Sequence, residues 1–265
     1  MSLGHGSSIV RSGLLIHYDS INVKDSLGDN GLKNLASNLY DGTRNYTSGT
    51  TTVEGVTYNR VDLAYKSSQG LVFDPKPPLP ENKDNALYYQ QGGNWYQSSY
   101  SVPWGTNDFT WIVWTYFNSF RAGGLSNEST GPYLLDWKRS SGQQSALRVD
   151  FGTPSAAYRI TSSPFSSTTA TSNKVLYSEN AWNFVCVKRE AGNLQFFNGF
   201  DKSDSISFNV NFEVANNLGI GWGADIDYQW RTLDGIIGPI QIYNRSLTDV
   251  EIQQNFNSYR GRYGI

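Results

Sequence analysis

The chain has one cysteine, Cys186, and only two histidines, His5 and His17, in 265 residues. A lone cysteine excludes an intrachain disulfide. It sits in the apolar run "WNFVCVK", where a buried structural thiol is expected. Two histidines cannot furnish a zinc site of several imidazoles, and a Ser-His-Asp arrangement would have to use one of them. Charge is scarce as well: Asp, Glu, Lys and Arg make up 17%, with a formal net charge of −2. Neither that balance nor any Lys/Arg run supplies an electrostatic footprint for nucleic acid, so no nucleic-acid partner is expected. No stretch approaches the roughly 20 apolar residues of a spanning helix, so no membrane insertion is expected. The opening "MSLGHGSSIVRSGLLIHYDS" lacks a basic region followed by a long apolar core, and no secretory leader is expected from it. The sequons at Asn45, Asn127 and Asn244 then read as incidental.

What the chain has in quantity is aromatics, at 14%, and 26 glycines. With many Ser, Thr and Asn, that is a turn-rich β composition. Strand signals dominate the length. "SGLLIHYDS" (12–20) alternates, "GLVFD" (70–74) ends at Pro75, and "DFTWIVWTYF" (108–117) is the densest run of β-branched and aromatic residues. "YLLDWKR", "SALRVDFG" and "AAYRITS" follow at short intervals. "AWNFVCVKRE" (181–190) and "LQFFNGFDK" (194–202), separated by Ala191, Gly192 and Asn193, predict a tight hairpin. Many short strands without βα alternation indicate a sandwich or barrel, whose bulky side chains fill the roughly 10 Å between sheets. "DPKPPLPENKDN" (74–85) reads as a semi-rigid Pro-rich loop and "SSPFSSTTATSN" (162–173) as a Ser/Thr-rich one. Strands on either side of each loop need partners across it, so a single domain is expected over 13–265, after an N-terminal arm over 1–12.

The end of the chain reads as a strand, a turn and a short helix over 247–260. Thr248 is a good N-cap with Glu251 at N3, a T-x-x-E capping box, and Leu247 and Ile252 stand where a hydrophobic staple would. Ile252, Phe256 and Tyr259 fall at i, i+4 and i+7, one apolar stripe for docking on the sandwich. Gly261 is the expected stop. Such a helix serves as a lid on the core.

These pieces resemble the laminin G-like, concanavalin A-like jelly rolls. "DFTWIVWTYF" stands where that superfamily has a strand of the FTISAWV type. "AWNFVCVKREAGNLQFFNGF" is similar to its W-x-x-v-a-v…g-x-l-x-l-y-v-N-G hairpin, through Trp182 and the Asn198-Gly199 turn. "LGIGWGADIDYQWRTLDGIIGPIQIYNRSLTDVEI" resembles l-x-I-G…F-d-G-x-I-d-e-v-x-I-Y-n-r-a-L-s-x-x-E-I. The resemblance implies an all-β jelly-roll sandwich of two antiparallel sheets with a short C-terminal helix. A narrower resemblance runs through "GHGSSIVRSGLLIHYDSIN", "GLVFD" and "EIQQNFNSYRGRYGI", which look like single-domain members from tailed-phage genomes. The departures are "GPIQIY" (238–243) in place of the commoner acidic "DEVRIY", and a loose "KNLASNLYDGTRNYTSG" for the usual "SGNGNNGTL". That resemblance implies a virion structural protein, made in the host cytoplasm, which decorates the capsid or associates with the tail. Its partners would be other virion proteins and a host-surface glycan, and it could be a homo-oligomer. A soluble carbohydrate-binding lectin without a particle role is the alternative, followed by a polysaccharide-cleaving enzyme.

Enzymatic chemistry lacks its usual signature. Glycosidases need two carboxylates about 5–5.5 Å apart to retain configuration, or roughly 6.5–9.5 Å to invert it. On this fold the resemblance would place them in E-x-D-x-E or E-x-D-x-x-E. None of Glu54, Glu81, Glu128, Glu179, Glu190, Glu213 and Glu251 begins such a pattern. His17 carries no recognisable motif and is expected to be a packed or hydrogen-bonded histidine. "GIGWGAD" lacks the helix and lysine of a phosphate loop. The expectation is a protein that is not an enzyme.

Binding remains. Flat sugar faces stack on aromatics while acidic and amide groups take the hydroxyls. The richest cluster is "WGADIDYQWR", with Trp222, Tyr228 and Trp230 beside Asp225, Asp227 and Arg231. By the resemblance it lies in the loop before the last strand, at one end of the sandwich. "NWYQSSYSVPW" offers Trp95, Tyr96, Tyr100 and Trp104. Protein contact or internal packing are the competing roles for these rings. No cofactor is expected; a structural calcium would take its oxygens from Asp225, Asp227 and Asp234.

Overall fold

The computed structural model describes residues 8–22, 24, 25, 27, 31–45, 50–53, 56–59, 64–66, 68–73, 95–100, 102–119, 130–138, 144–150, 157–163, 168–171, 177–209, 211–214, 217–221 and 233–265; along several strands it describes the backbone path alone. In chain order the strands begin with β1 (Leu14–Tyr18), β2 (Gly31–Leu32), β3 (Gly42–Asn45), β4 (Thr50–Val53), β5 (Val56–Asn59), β6 (Ala64–Lys66) and β7 (Leu71–Phe73). The middle of the chain gives β8 (Trp95–Ser98), β9 (Val102–Gly105), β10 (Phe109–Ser119), β11 (Thr130–Lys138), β12 (Gln144–Asp150), β13 (Ala157–Ser163) and β14 (Thr168–Thr171). The last part gives β15 (Trp182–Glu190), β16 (Asn193–Asn198), β17 (Asp201–Lys202), β18 (Ile206–Ser207), β19 (Phe212–Val214), β20 (Leu218–Ile220), β21 (Asp234–Tyr243) and helix α1 (Asp249–Tyr259).

Two antiparallel sheets carry the fold. The first runs β17-β16-β15-β10-β21-β7-β6, with β1 also on β21 and β18 on β16; the second runs β14-β13-β12-β11-β20-β8-β3-β2. Two-stranded ribbons, β4 with β5 and β9 with β19, stand apart from them. Between the sheets, Trp111 of β10 and Trp137 of β11 bring their ring centroids to 4.8 Å, and Phe109 stacks on Trp111 at 4.6 Å. These contacts tie one sheet to the other through fully buried rings. The sandwich with a short terminal helix is therefore the architecture present.

Strand β10 explains why "FTWIVWTYF" shows no polar alternation. Trp111, Val113 and Phe117 enter the core between the sheets, while Ile112 and Trp114 enter a second core on the outer face. A strand covered on both faces reads as a continuous apolar run. Its neighbour β15 does the same and buries Cys186 completely, which pushes the thiol well above its ordinary range by desolvation.

The second core is built by α1. The capping box is present: Thr248 Oγ1 accepts the Glu251 N–H at 3.3 Å, and Glu251 Oε2 accepts the Thr248 N–H at 2.9 Å. Leu247 and Ile252 are both buried, as a staple requires. Ile252, Phe256 and Tyr259 form the docking stripe. Phe256 lies nearly parallel to Trp114, at 5.6 Å and 4°. The stop differs from expectation. Arg260–Arg262 continue as a 3-10 turn through Gly261, and the residue with left-handed φ is Gly264, at 72°. The extra turn folds Tyr263 back onto Trp182, with centroids 3.9 Å apart.

That contact also accounts for "GPIQIY". Gly238 and Pro239 form a bulge opposite Trp114, since the register passes from Val113↔Ile240 to Thr115↔Ile237. A Cβ on Gly238 would fall 2.4 Å from the Tyr263 hydroxyl and 3.1 Å from Trp114 Cβ. The glycine makes room for the folded-back tyrosine.

The predicted hairpin is present with a two-residue loop. Ala191 (φ 47°) and Gly192 (φ 77°) both take positive φ, the backbone of a turn whose twist matches its strands.

Candidate functional site

The pairing registers place many strand ends together. Trp95 of β8 pairs with Asn45, the last residue of β3; Phe73 pairs with Gly235; Ser119 pairs with Asp234 at the start of β21. Thr130 pairs with Asp150, and Thr171 with Arg159, two residues from the start of β13. Hence Asn45, Phe73, Trp95, Ser119, Thr130, Asp150, Ala157, Thr171, Gly221 and Asp234 all lie at one end of the sandwich. Gly221 O accepts the Leu233 N–H at 3.0 Å, closing a neck at the root of 222–232.

Trp222, Asp225, Asp227, Tyr228, Trp230 and Arg231 lie outside the described residues, as do the Pro-rich stretch 74–85 and residues 1–7 of the N-terminal arm. The root of that cluster is nevertheless fixed by Gly221 and Leu233. Trp95 and Tyr96 are described as backbone, and Tyr96 pairs with Ile220, next to the neck. Trp104 is separated from them. It belongs to β9, whose Gly105 carbonyl accepts Arg189 Nη2 at 2.8 Å beside the opposite end of β10. Tyr100 is a core residue, 3% exposed, whose carbonyl accepts Trp137 Nε1. The stretch 94–104 thus divides between one end, the interior and the other end.

Asp234 opens β21 at the loop end, its side chain outside the described set, with Asp225 and Asp227 wholly outside it. Among the described residues no three His, Cys, Asp or Glu side chains converge on a common point.

The side chains that are described build a different polar assembly, on the outer face of the first sheet. Here the start and end of the chain interlock. Val10 N–H donates to Asn255 Oδ1 at 2.8 Å, Gln254 Nε2 to the Ser8 carbonyl at 2.6 Å, and the Tyr243 hydroxyl to the Val10 carbonyl at 3.0 Å. His17 is 4% exposed, and its Nε2 lies 2.7 Å from the Tyr259 hydroxyl. Among the described residues its Nδ1 has no partner. Burial, then the charges of Arg11 and Arg262, push its pKa down to about 4. The packed, hydrogen-bonded histidine anticipated from the sequence is what His17 is. Arg245 grips Glu251 with two nitrogens, at 2.9 and 2.6 Å, and holds the Glu251 carboxyl down at about 2.

Lys188, given no role by the sequence, anchors the helix start. It is 6% exposed and donates to Asp249 Oδ1 at 3.1 Å, while Lys202 reaches Asp249 Oδ2 at 2.8 Å. Its signal was its position two residues after Cys186, on the outward face of β15. Beside it a shallow pocket of about 370 Å³ is lined by Lys188, Glu190, Ala191, Asn193, Gln195 and Ser205.

Comparison with known proteins agrees with this geometry. Residues 91–253 match the sequence profile of the family described as the concanavalin A-like lectin/glucanases superfamily, laminin G type. No curated protein matches the chain in sequence. Among solved structures, domain 4 of AbnA, an extracellular GH43 arabinanase from Geobacillus stearothermophilus solved with arabinotriose, superposes with a TM-score of 0.58 at 11% identity; the alignment covers 91% of this chain and 97% of that one. The binding domain of Paraclostridial Mosquitocidal Protein 1 gives 0.57 at 15%, covering 94% and 53%. Trypanosoma rangeli sialidase in complex with sialic acid gives 0.58 at 12%, covering 96% and 34%. The chain therefore spans about half of the second and a third of the third.

Proposed function

The chain belongs to the concanavalin A-like lectin/glucanase superfamily, and from that premise we propose that it is a non-enzymatic, lectin-like structural protein of a tailed-phage particle. It decorates the capsid or tail and presents its loop end to glycan or host surface. Its partners in this reading are other virion proteins, without nucleic acid or membrane insertion.

One observation supports the particle role above the rest. Of the three stretches that carry the phage resemblance, the opening one, from Ser8 on, and "EIQQNFNSYRGRYGI" are one physical unit. Four hydrogen-bonded pairs join them: Val10 to Asn255, Ser8 to Gln254, His17 to Tyr259 and Asp19 to Arg262. Signatures read separately at the two ends are the halves of a single clasp. His17 lies buried inside it, against the Tyr259 hydroxyl.

A soluble lectin without a particle role is the second reading. It is favoured by the near full-length likeness to an arabinanase domain solved with arabinotriose. Immunogold electron microscopy of purified parent-virus particles separates the two. Label on the head supports capsid decoration, and label on the tail supports host recognition. Unlabelled particles, with the protein free in the lysate, overturn the particle reading and leave the lectin.

A further inference from the structure

Among the described residues Tyr40, Asn180 and Ala191 are the non-glycine residues with positive φ, and Tyr40, at 63°, is the bulkiest of them. A bulky aromatic side chain does not adopt that region unless its surroundings dictate it. Three sets of contacts dictate it here. The Tyr40 carbonyl accepts the Tyr18 hydroxyl and, at 2.9 Å, the Ser98 hydroxyl. The carbonyl of Leu39 accepts Asn34 Nδ2 at 2.8 Å. The Asp41 carboxylate accepts the Asn34 N–H at 2.8 Å and Lys33 Nζ at 2.9 Å. Tyr18 and Asn34 are each 1% exposed, so the frame is rigid and internal.

The product of this frame faces outward. Leu39 is 62% exposed and Tyr40 39%. The Lys33 and Asp41 side chains are 27% and 32% exposed. Tyr40 meets Tyr100 near perpendicularly, at 5.0 Å and 72°, a contact that can cover only one face of the Tyr40 ring. The buried Tyr18 and Ser98 hydroxyls account for the backbone of this turn and Tyr100 for one contact of its ring. They do not account for the exposed part of the Tyr40 ring and the exposed Leu39, set beside a carboxylate and an ammonium.

We propose that the Leu39–Asp41 turn is a preformed contact site for a neutral saccharide ring. The apolar face of a pyranose stacks on the free face of Tyr40 and against Leu39. Its hydroxyls donate to the Asp41 carboxylate and accept from the Lys33 ammonium. The Lys33–Asp41 pair cancels in charge, which selects a neutral sugar over an acidic or amino sugar. Little ordering is left to be done on binding, because the frame has already done it. The ligand class rests on the lectin-like reading; the place does not. Tyr40 precedes β3, whose other end meets Trp95, so this turn lies at the opposite end of the second sheet from the Gly221–Leu233 neck.

The test uses the full chain on a printed array of neutral and charged oligosaccharides, followed by calorimetric titration of the strongest neutral hit. Wild type, Tyr40→Gly and Trp222→Ala are compared. Glycine accepts φ near 60° without strain, so Tyr40→Gly removes the ring and keeps the turn, and its Tm should match or exceed wild type. The expected result is about a tenfold or greater loss of affinity in Tyr40→Gly, the order of one lost aromatic platform, with Trp222→Ala unchanged. Undiminished binding in Tyr40→Gly overturns the site; if Trp222→Ala alone abolishes binding, the loop-end reading survives it. Absence of binding to every sugar by wild type overturns both.

Discussion

Asp19 and Arg262 lie 243 residues apart in sequence, yet one guanidinium nitrogen, Nη1, donates to both oxygens of the Asp19 carboxylate at 2.9 Å. Asp19 is 1% exposed. Removing the arginine leaves a buried carboxylate without its counter-charge, a loss of about 3 kcal/mol. Arg262→Met should lower the urea midpoint accordingly, and Asp19→Asn/Arg262→Met should recover part of it. Strictly additive losses would mean that the pair does not couple.

The helix that precedes this arginine, α1, seals the outer face of the first sheet. Deletion of residues 248–265 uncovers Ile112, Trp114, Phe184 and Tyr243. Melting temperature and solubility should fall together. Phe256→Ala, which removes the ring stacked on Trp114, should cost about 3 kcal/mol. A truncated chain that melts at the wild-type temperature would show that α1 is not a lid.

Acid should act on the clasp in two separate windows. The native state resists protonation of His17 until about pH 4, whereas an unfolded histidine takes its proton near 6.5. The unfolded state therefore binds more protons between those values, and stability falls as pH drops from 6.5 to 4, by about 3 kcal/mol. Below pH 4 this contribution is flat. Glu251, at about 2 in the fold against an ordinary 4.5, contributes stability above 4.5 that is lost as pH falls towards 2. Unfolding by urea across pH 2–7 should show His17→Gln flattening the upper window and Glu251→Gln the lower.

Ala191 holds φ 47° in the β15–β16 turn, a conformation that costs an L-residue with a Cβ roughly 1–2 kcal/mol. Its N–H donates to Asp108 Oδ1 at 2.9 Å, which keeps the turn in place whatever the side chain. Ala191→Gly should therefore raise stability by about 1 kcal/mol or less, since glycine gives back entropy in the unfolded chain. A lower urea midpoint would place the strain elsewhere.

The local features could be read from the sequence because their partners are near in sequence. The capping box spans four residues, the staple six, and the Ala191-Gly192 turn two. The helix stop was misplaced because Gly261 and Gly264 are equally glycine; what selects Gly264 is Tyr263 reaching Trp182 and the space above Gly238, contacts made across the fold. His17 with Tyr259 and Asp19 with Arg262 leave no local pattern at all, since polar partners from opposite ends of a chain share no period. Tyr40 was unreadable for a related reason: its positive φ is imposed by Tyr18, Asn34 and Ser98, not by its own preference. In the stretch 94–104, aromatic density alone could not tell a core tyrosine such as Tyr100 from an exposed one.

Strand β1 pairs with β21 alone in its sheet. During biosynthesis β1 leaves the ribosome more than two hundred residues ahead of its partner, and the apolar outer face of β10 and β15 emerges ahead of the helix that covers it. Every chain interrupted before residue 234 therefore displays an unpaired strand and a bare aromatic sheet, the surfaces that chaperones and proteases recognise. Once β21 and α1 are made, they pair with β1 and cover that face together. The surfaces of β10 and β15 thus depend for their cover on contacts made across more than two hundred residues of sequence.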